Sequence, residues 1–256
     1  MLNTTRWPFP RIIAHRGGGT VAPENTLVAL RVAASMGFGG VEFDVKLARF
    51  GVPVLMHDDT LDRTTDGAGP VAVRDAAELR SLDAGIWFGN EFAGERVPTF
   101  EAAAALCRGL GLWANVEIKP DGDNAEDTGR IVSGLAARFW KDASPAPLLS
   151  SFSEPALAAA RREAPDLPRA LLVEEIPADW RRRVEALGCR ALHCQHEKLT
   201  RALVEELHEA GLGVAAYTVN DPGRAIALFD MGVDAVVTDE LRDIRPDFLA
   251  SHGFGP

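Results

Sequence analysis

From Thr99 onward this 256-residue chain alternates short apolar runs with amphipathic runs of ten residues or more. Residues 113–118, 147–151, 169–173, 191–194, 213–219 and 235–238 are rich in Val, Leu, Ile and Ala, as buried parallel strands are. Between them, 125–140, 154–163, 177–187, 200–210 and 222–231 carry apolar residues at helical spacing, and 242–249 follows the last strand in the same way. Two further strands, 11–14 and 41–47, come earlier, with a helix over 23–36 between them and one over 99–109 before the third barrel strand. Eight strands, each followed by a helix, predict an α/β fold, a closed (β/α)8 TIM barrel. A doubly wound open sheet is the competing architecture. It would carry G-x-G-x-x-G after its first strand, whereas His15-Arg16-Gly17-Gly18-Gly19 lacks that spacing.

Two stretches interrupt the alternation. The apolar run Val52-Pro53-Val54-Leu55-Met56 begins five residues after Leu47. A parallel crossover needs roughly a dozen residues, so this run returns as a hairpin arm and brings His57 back to the strand ends. Residues from about 59 to 98 fit no βα unit. They hold a helical patch near 74–82 and the aromatics Trp87, Phe88 and Phe92, and read as a small insertion subdomain. With no repeat and no linker, the chain is expected to form a single domain over 1–256.

Charge and cysteine content narrow the partners. A net charge of -10 makes nucleic acid and anionic membrane poor bulk partners, so any phosphate recognition must be local. Cys107, Cys189 and Cys194 are odd in number and lack metal-ligand spacing, as expected of reduced thiols. Residues 1–10 have no basic start and no apolar core, so no signal peptide is expected. No apolar run approaches the ~18 residues of a membrane span. Together these predict a cytoplasmic protein without stable membrane insertion.

A barrel places its chemistry at the C-terminal ends of its strands. Glu42 and Asp44 are two apart on the second strand and so share a face. Two adjacent carboxylates repel, and on a buried face a divalent cation is the simplest counter-charge. Glu117 and Lys119 repeat the spacing on the next barrel strand, while His15, Arg16 and the hairpin's His57 arrive at the same rim. Three hard oxygen ligands suit Mg2+ or Ca2+ rather than zinc. Arg16 and Lys119 are phosphate-binding types, and His15 and His57 exchange protons near neutral pH. Taken singly, each residue has a plainer explanation. Glu24-Asn25-Thr26 reads as helix capping, Tyr217 as barrel packing, and His193 and His196 as structural residues. Their conjunction at one rim favours a phosphodiesterase site.

The same residues resemble the glycerophosphodiester phosphodiesterases. The likeness rests on His15-Arg16-Gly17, Pro23-Glu24-Asn25-Thr26, Glu42-Phe43-Asp44-Val45, Met56-His57-Asp58 and Leu61-Asp62-Arg63-Thr64-Thr65. It continues through Asp83-Ala84-Gly85, Gly94-Glu95-Arg96-Val97-Pro98-Thr99, Glu117-Ile118-Lys119, Ser150-Ser151-Phe152 and Val237-Thr238-Asp239, in order over residues 12–240. The resemblance implies a TIM barrel with a small insertion and one divalent cation on Glu42, Asp44 and Glu117. It implies acid/base roles for His15 and His57, and phosphate or glycerol contacts from Arg16 and Lys119. It also implies a small-molecule glycerophosphodiester substrate, such as glycerophosphocholine or glycerophosphoethanolamine, cleaved to sn-glycerol 3-phosphate and an alcohol. Tyr217 stands where many relatives have Trp, on the glycerol side. A lysophospholipase D using the aromatic insertion as an acyl channel, and a non-catalytic phosphate-ester-binding barrel, are the competing functions.

Overall fold

The computed structural model describes residues 7–254. The chain order is β1 (Ile12–Ala14), α1 (Leu27–Ser35), β2 (Gly40–Leu47), β3 (Pro53–Leu55), α2 (Ala76–Leu79), α3 (Phe100–Leu110), β4 (Trp113–Ile118), α4 (Ala125–Phe139) and β5 (Leu148–Ser151). It continues α5 (Glu154–Glu163), β6 (Arg169–Val173), α6 (Trp180–Leu187), β7 (Ala191–Gln195), α7 (Arg201–Glu209), β8 (Gly213–Tyr217), α8 (Pro222–Asp230), β9 (Ala235–Thr238) and α9 (Phe248–Ser251). Eight parallel strands close in the order β1-β9-β8-β7-β6-β5-β4-β2, and β1 pairs with β2 to complete the barrel. The segment examined for a signal peptide lies in part, at residues 1–6, outside the described residues. Among the described residues no helix is long and apolar enough to cross a membrane.

β3 is the antiparallel arm, pairing Val45 with Leu55 and Leu47 with Pro53. The physical reason lies in β1, which ends at Ala14 opposite Val41. Above that point the eight-residue β2 lacks a neighbour on one edge, and β3 supplies it. The Met56 N–H donates to the Asp44 carbonyl at 3.2 Å, which fixes where the arm delivers His57.

Strand alternation separates two cores. Outward residues such as Val41, Phe43 and Val45 pack under the helices with Leu30 and Phe100. Inside the barrel, Ile13, Trp113, Leu148, Ala170, Ala191, Ala215, Ala235 and Val237 fill the lower part, with Trp7 and Phe9 packed against them. A third cluster, including Val54, Met56, Leu61, Val71, Leu79 and Val97, gives the insertion its own apolar support.

Several helix boundaries differ from expectation: α6 starts at Trp180 rather than 177, and the patch near 74–82 is helical only over Ala76–Leu79. The first helix starts at Leu27 rather than Pro23, because Thr26 is its N-cap and Asn25 has left-handed backbone (φ 57°). The expected 242–249 helix is instead a turn followed by a short α9. Pro246 lacks an N–H and disfavours helical backbone at Arg245.

Candidate active site

Period-two alternation on β2 turns Glu42, Asp44 and Lys46 inward, and all three are buried. The parallel register sets Asp44 beside Glu117 on β4. Lys119 lies just beyond, its N–H donating to the Val45 carbonyl at 2.9 Å. The result is a cluster in which oxygens of Glu42, Asp44 and Glu117 lie within 4.8 Å of one another.

The electrostatics of this cluster are uneven. Burial pushes Glu42 up to about 8, and the Asp44 charge acts in the same direction. Burial and Asp44 push Glu117 up to about 7. Burial also opposes ionisation of Asp44, but Lys119, Arg16 and His57 with the Asn25 hydrogen bond outweigh it and hold that carboxyl low. Lys119 Nζ lies 3.2 Å from Glu117 and 3.6 Å from Asp44, and Arg16 Nε lies 3.5 Å from Asp44. Two cations therefore face three carboxylates, leaving a buried excess of negative charge. A divalent cation relieves that excess, and an all-oxygen donor set fits Mg2+ or Ca2+.

Two histidines flank the cluster. His15 leaves β1 with Nδ1 2.6 Å from Asp239 Oδ1 and Nε2 3.9 Å from Glu42. Burial alone would lower its pKa; the Asp239 hydrogen bond and the charges of Glu42 and Asp239 prevail and raise it. His57 leaves β3 with Nδ1 2.6 Å from Asp58 Oδ1. Its pKa is lowered, chiefly by burial, with Arg16 and Lys119 assisting against Asp44 and Asp58. In each case the carboxylate fixes the proton on Nδ1 and leaves Nε2 for chemistry.

The loop after β1 carries the remaining machinery. Arg16 has φ 50°, an unfavourable backbone for a side-chain-bearing residue, and its N–H donates to Glu42 at 3.0 Å. Its guanidinium donates to Glu24 at 2.7 Å. Asn25 donates to the Asp44 carboxylate at 2.8 Å and accepts from its backbone N–H at 3.1 Å. The capping reading of Glu24-Asn25-Thr26 is therefore right for Thr26, which accepts from the Ala29 N–H, whereas Glu24 and Asn25 bind site residues. The glycines before them face the chain itself: a Cβ on Gly19 would collide with the Asp239 carbonyl, so that loop packs on the turn bearing the His15 partner.

Tyr217 sits four strands round the barrel from β4. Its hydroxyl donates to the Val173 carbonyl at 2.8 Å and its ring meets Phe152 edge-on at 5.9 Å. Two cavities share Phe152: one of about 490 Å3 along His57, Glu117 and Lys119, and one of about 500 Å3 along Glu174, His196 and Tyr217. His193 lies buried near Trp7 at the barrel floor, and burial lowers its pKa to about 3. His196 accepts from Arg224 away from the carboxylates. A larger cavity of about 1310 Å3 opens at the opposite end, where Arg169 donates to carbonyls of Ala164, Leu167, Leu187 and Gly188.

Strand counting thus brings together His15, Arg16, Glu42, Asp44, His57, Glu117 and Lys119. Residue by residue it does not assign Asp58, Asp239, Glu24, Arg63 or Asn220. The available signal is proximity: Asp58 follows His57 directly, and Asp239 directly follows the strand beside that of His15.

Comparison with known proteins identifies the family and the fold. The profile of the Glycerophosphoryl diester phosphodiesterase family matches residues 15–242. A glycerophosphodiester phosphodiesterase of Caldanaerobacter subterraneus subsp. tengcongensis is 33% identical over 90% of this chain and 93% of its own. An Oleispira antarctica phosphodiesterase, solved with its product sn-glycerol-3-phosphate, superposes with a TM-score of 0.87 at 36% identity, covering 96% of this chain and 97% of that one. The glycerophosphodiester phosphodiesterase of Agrobacterium tumefaciens C58 gives 0.78 at 27% identity, with 95% and 100% covered. The family profile over residues 15–242 and a 33%-identical relative matched over nearly its full length make this chain a member of the glycerophosphoryl diester phosphodiesterase family.

Proposed function

We propose that the protein hydrolyses small glycerophosphodiesters, such as glycerophosphocholine and glycerophosphoethanolamine, to sn-glycerol 3-phosphate and the free alcohol. One divalent cation, Mg2+ or Ca2+, would sit on Glu42, Asp44 and Glu117. The observation that carries this reading is the buried three-carboxylate cluster flanked by two carboxylate-backed histidines. When bound, the ion would offset charge that develops on the phosphoryl oxygens. With the ion, Arg16 and Lys119, the site would hold one net positive charge, which suits a diester monoanion.

The histidines divide the proton work by their surroundings. His57, held neutral, accepts the proton of the nucleophile at Nε2, whether that is water or the glycerol 2-hydroxyl. His15, held protonated, donates from Nε2 to the alcohol oxygen as its bond to phosphorus breaks. The two cavities beside Phe152 give room for the two substituents of the diester. Tyr217, by lining one of them, would contact the glycerol. Phe88 packs edge-on against both Trp87 and Phe92. None of those rings lines either cavity, which favours a small diester over an acyl-chain substrate. Three unpaired, buried thiols fit a reducing compartment, and we put the activity in the cytoplasm.

The test is glycerol 3-phosphate release from glycerophosphocholine and glycerophosphoethanolamine, with choline release from lysophosphatidylcholine measured in parallel. Release is expected from the first two with Mg2+ or Ca2+ and none in excess chelator. Undiminished release in chelator, or turnover confined to lysophosphatidylcholine, would overturn the reading.

A further inference from the structure

Arg63 belongs to neither histidine nor metal cluster, yet it joins two groups that do. Its Nη1 and Nη2 donate to the two oxygens of Glu24 at 2.7 and 2.8 Å. Its Nε and Nη2 donate to the two oxygens of Asp58 at 2.7 and 2.9 Å. Glu24 also accepts from Arg16, and Asp58 also accepts from His57. An unbroken ionic path therefore runs Arg16–Glu24–Arg63–Asp58–His57, and Arg63 is its one member from the insertion.

The need for such a member follows from topology. Asp58 is the residue after His57, on a segment already leaving the barrel, and among the described residues its side chain bonds only to His57 and Arg63. Arg63 has a firm base. Leu61, Thr64 and Thr65 around it are buried, and Thr65 Oγ1 donates to the Leu61 carbonyl at 2.8 Å. An isolated exposed ion pair contributes little. Two forked pairs sharing one guanidinium fix orientation as well as charge, and a lysine cannot make both.

We propose that Arg63 is a positioning residue. Through Asp58 it sets the ring orientation and tautomer of His57, and through Glu24 it sets the place of Arg16, so that the insertion is part of the proton-transfer apparatus. The proposal rests on His57 acting in catalysis, as argued above.

The test measures kcat and KM on glycerophosphocholine, Mg2+ affinity by calorimetry, and rescue by sub-denaturing guanidinium. Arg63→Ala is expected to lower kcat roughly 10- to 100-fold, the usual effect of losing an outer-shell partner. KM should change less, Mg2+ affinity should stay at the wild-type level, and added guanidinium should restore part of kcat. Arg63→Lys, which keeps the charge without the forks, should fall between wild type and Arg63→Ala. The Arg63→Ala, His57→Ala double variant should lose less than the product of the two single effects, because the part of the Arg63 effect that passes through the His57 ring is already gone. Wild-type kcat in Arg63→Ala, or a double variant that loses the product of the two single effects, would overturn the proposal. Loss of Mg2+ affinity in both Arg63 variants without guanidinium rescue would also overturn it, by reducing Arg63 to a folding role. A His57→Ala variant with wild-type kcat would instead remove the reading beneath it.

Discussion

His15 and His57 face the same carboxylate cluster from different mountings. His15 is anchored by the barrel itself. Its partner Asp239 directly follows β9 and is held by Asn220, which donates to one carboxylate oxygen at 2.9 Å and accepts the Asp239 N–H at 2.9 Å. His57 is anchored by an appendage, with Asp58 next in sequence and a guanidinium from the insertion behind it. In the first arrangement burial acts to lower the histidine pKa, but the Asp239 hydrogen bond and the charges of Glu42 and Asp239 prevail and raise it. In the second, burial with Arg16 and Lys119 nearby lowers it. Two similar His–Asp pairs thereby have pKa values shifted in opposite directions, as the proposed acid and base roles require.

The comparison breaks most directly at the rings. His15→Ala and His57→Ala should each reduce kcat by about 100-fold or more, the usual range for a lost general acid or base. Near-normal turnover in both would end the acid and base roles proposed for these histidines. A smaller effect separates the two roles. Activity should rise with pH as His57 loses its proton, below the usual histidine value, and decline as His15 does so above it. Asp239→Asn removes the Asp239 charge that helps raise His15, leaving that of Glu42, so only the alkaline limb should move, towards lower pH. Asp58→Asn removes a raising interaction from His57, so only the acid limb should move, also towards lower pH. Reversal of which limb responds would exchange the roles.

The smallest expected effect is on stability. Glu42 and Glu117 have folded pKa values of about 8 and about 7, above the ordinary 4.5. Such groups stabilise fully at low pH and lose that contribution as pH rises through the folded values. His57 and His193, both depressed, act in the opposite sense, but only below their ordinary 6.5. Between pH 6.5 and 8 the metal-free protein should therefore lose thermal stability. Mg2+ or Ca2+ should offset this, so the Tm increase on adding ion should widen with pH. A pH-independent increase would contradict the cation reading of the cluster.

Much of this was legible in residue order because it depends on local periods. The two-residue repeat put Glu42 with Asp44 and Glu117 with Lys119 on shared faces, and the four-residue gap between Leu47 and Val52 required a hairpin that returned His57. Glu24 and Asn25 were harder to place, because their types and position are those of a helix cap. Only the left-handed turn at Asn25, stabilised by its bonds to Asp44, shows them in the site.

By itself the sequence determined the barrel, the hairpin, the family and the cluster of carboxylates, cations and histidines at one rim. Tertiary structure alone decided what stands behind each histidine. Asp239 is 224 residues from His15 and meets it because β9 closes the barrel against β1. Arg63 is 39 residues from Glu24 and meets it because the insertion folds back over the rim. Side-chain spacing along a strand is a property of the backbone, whereas these pairings follow from closing a ring and seating a loop, which no local period encodes.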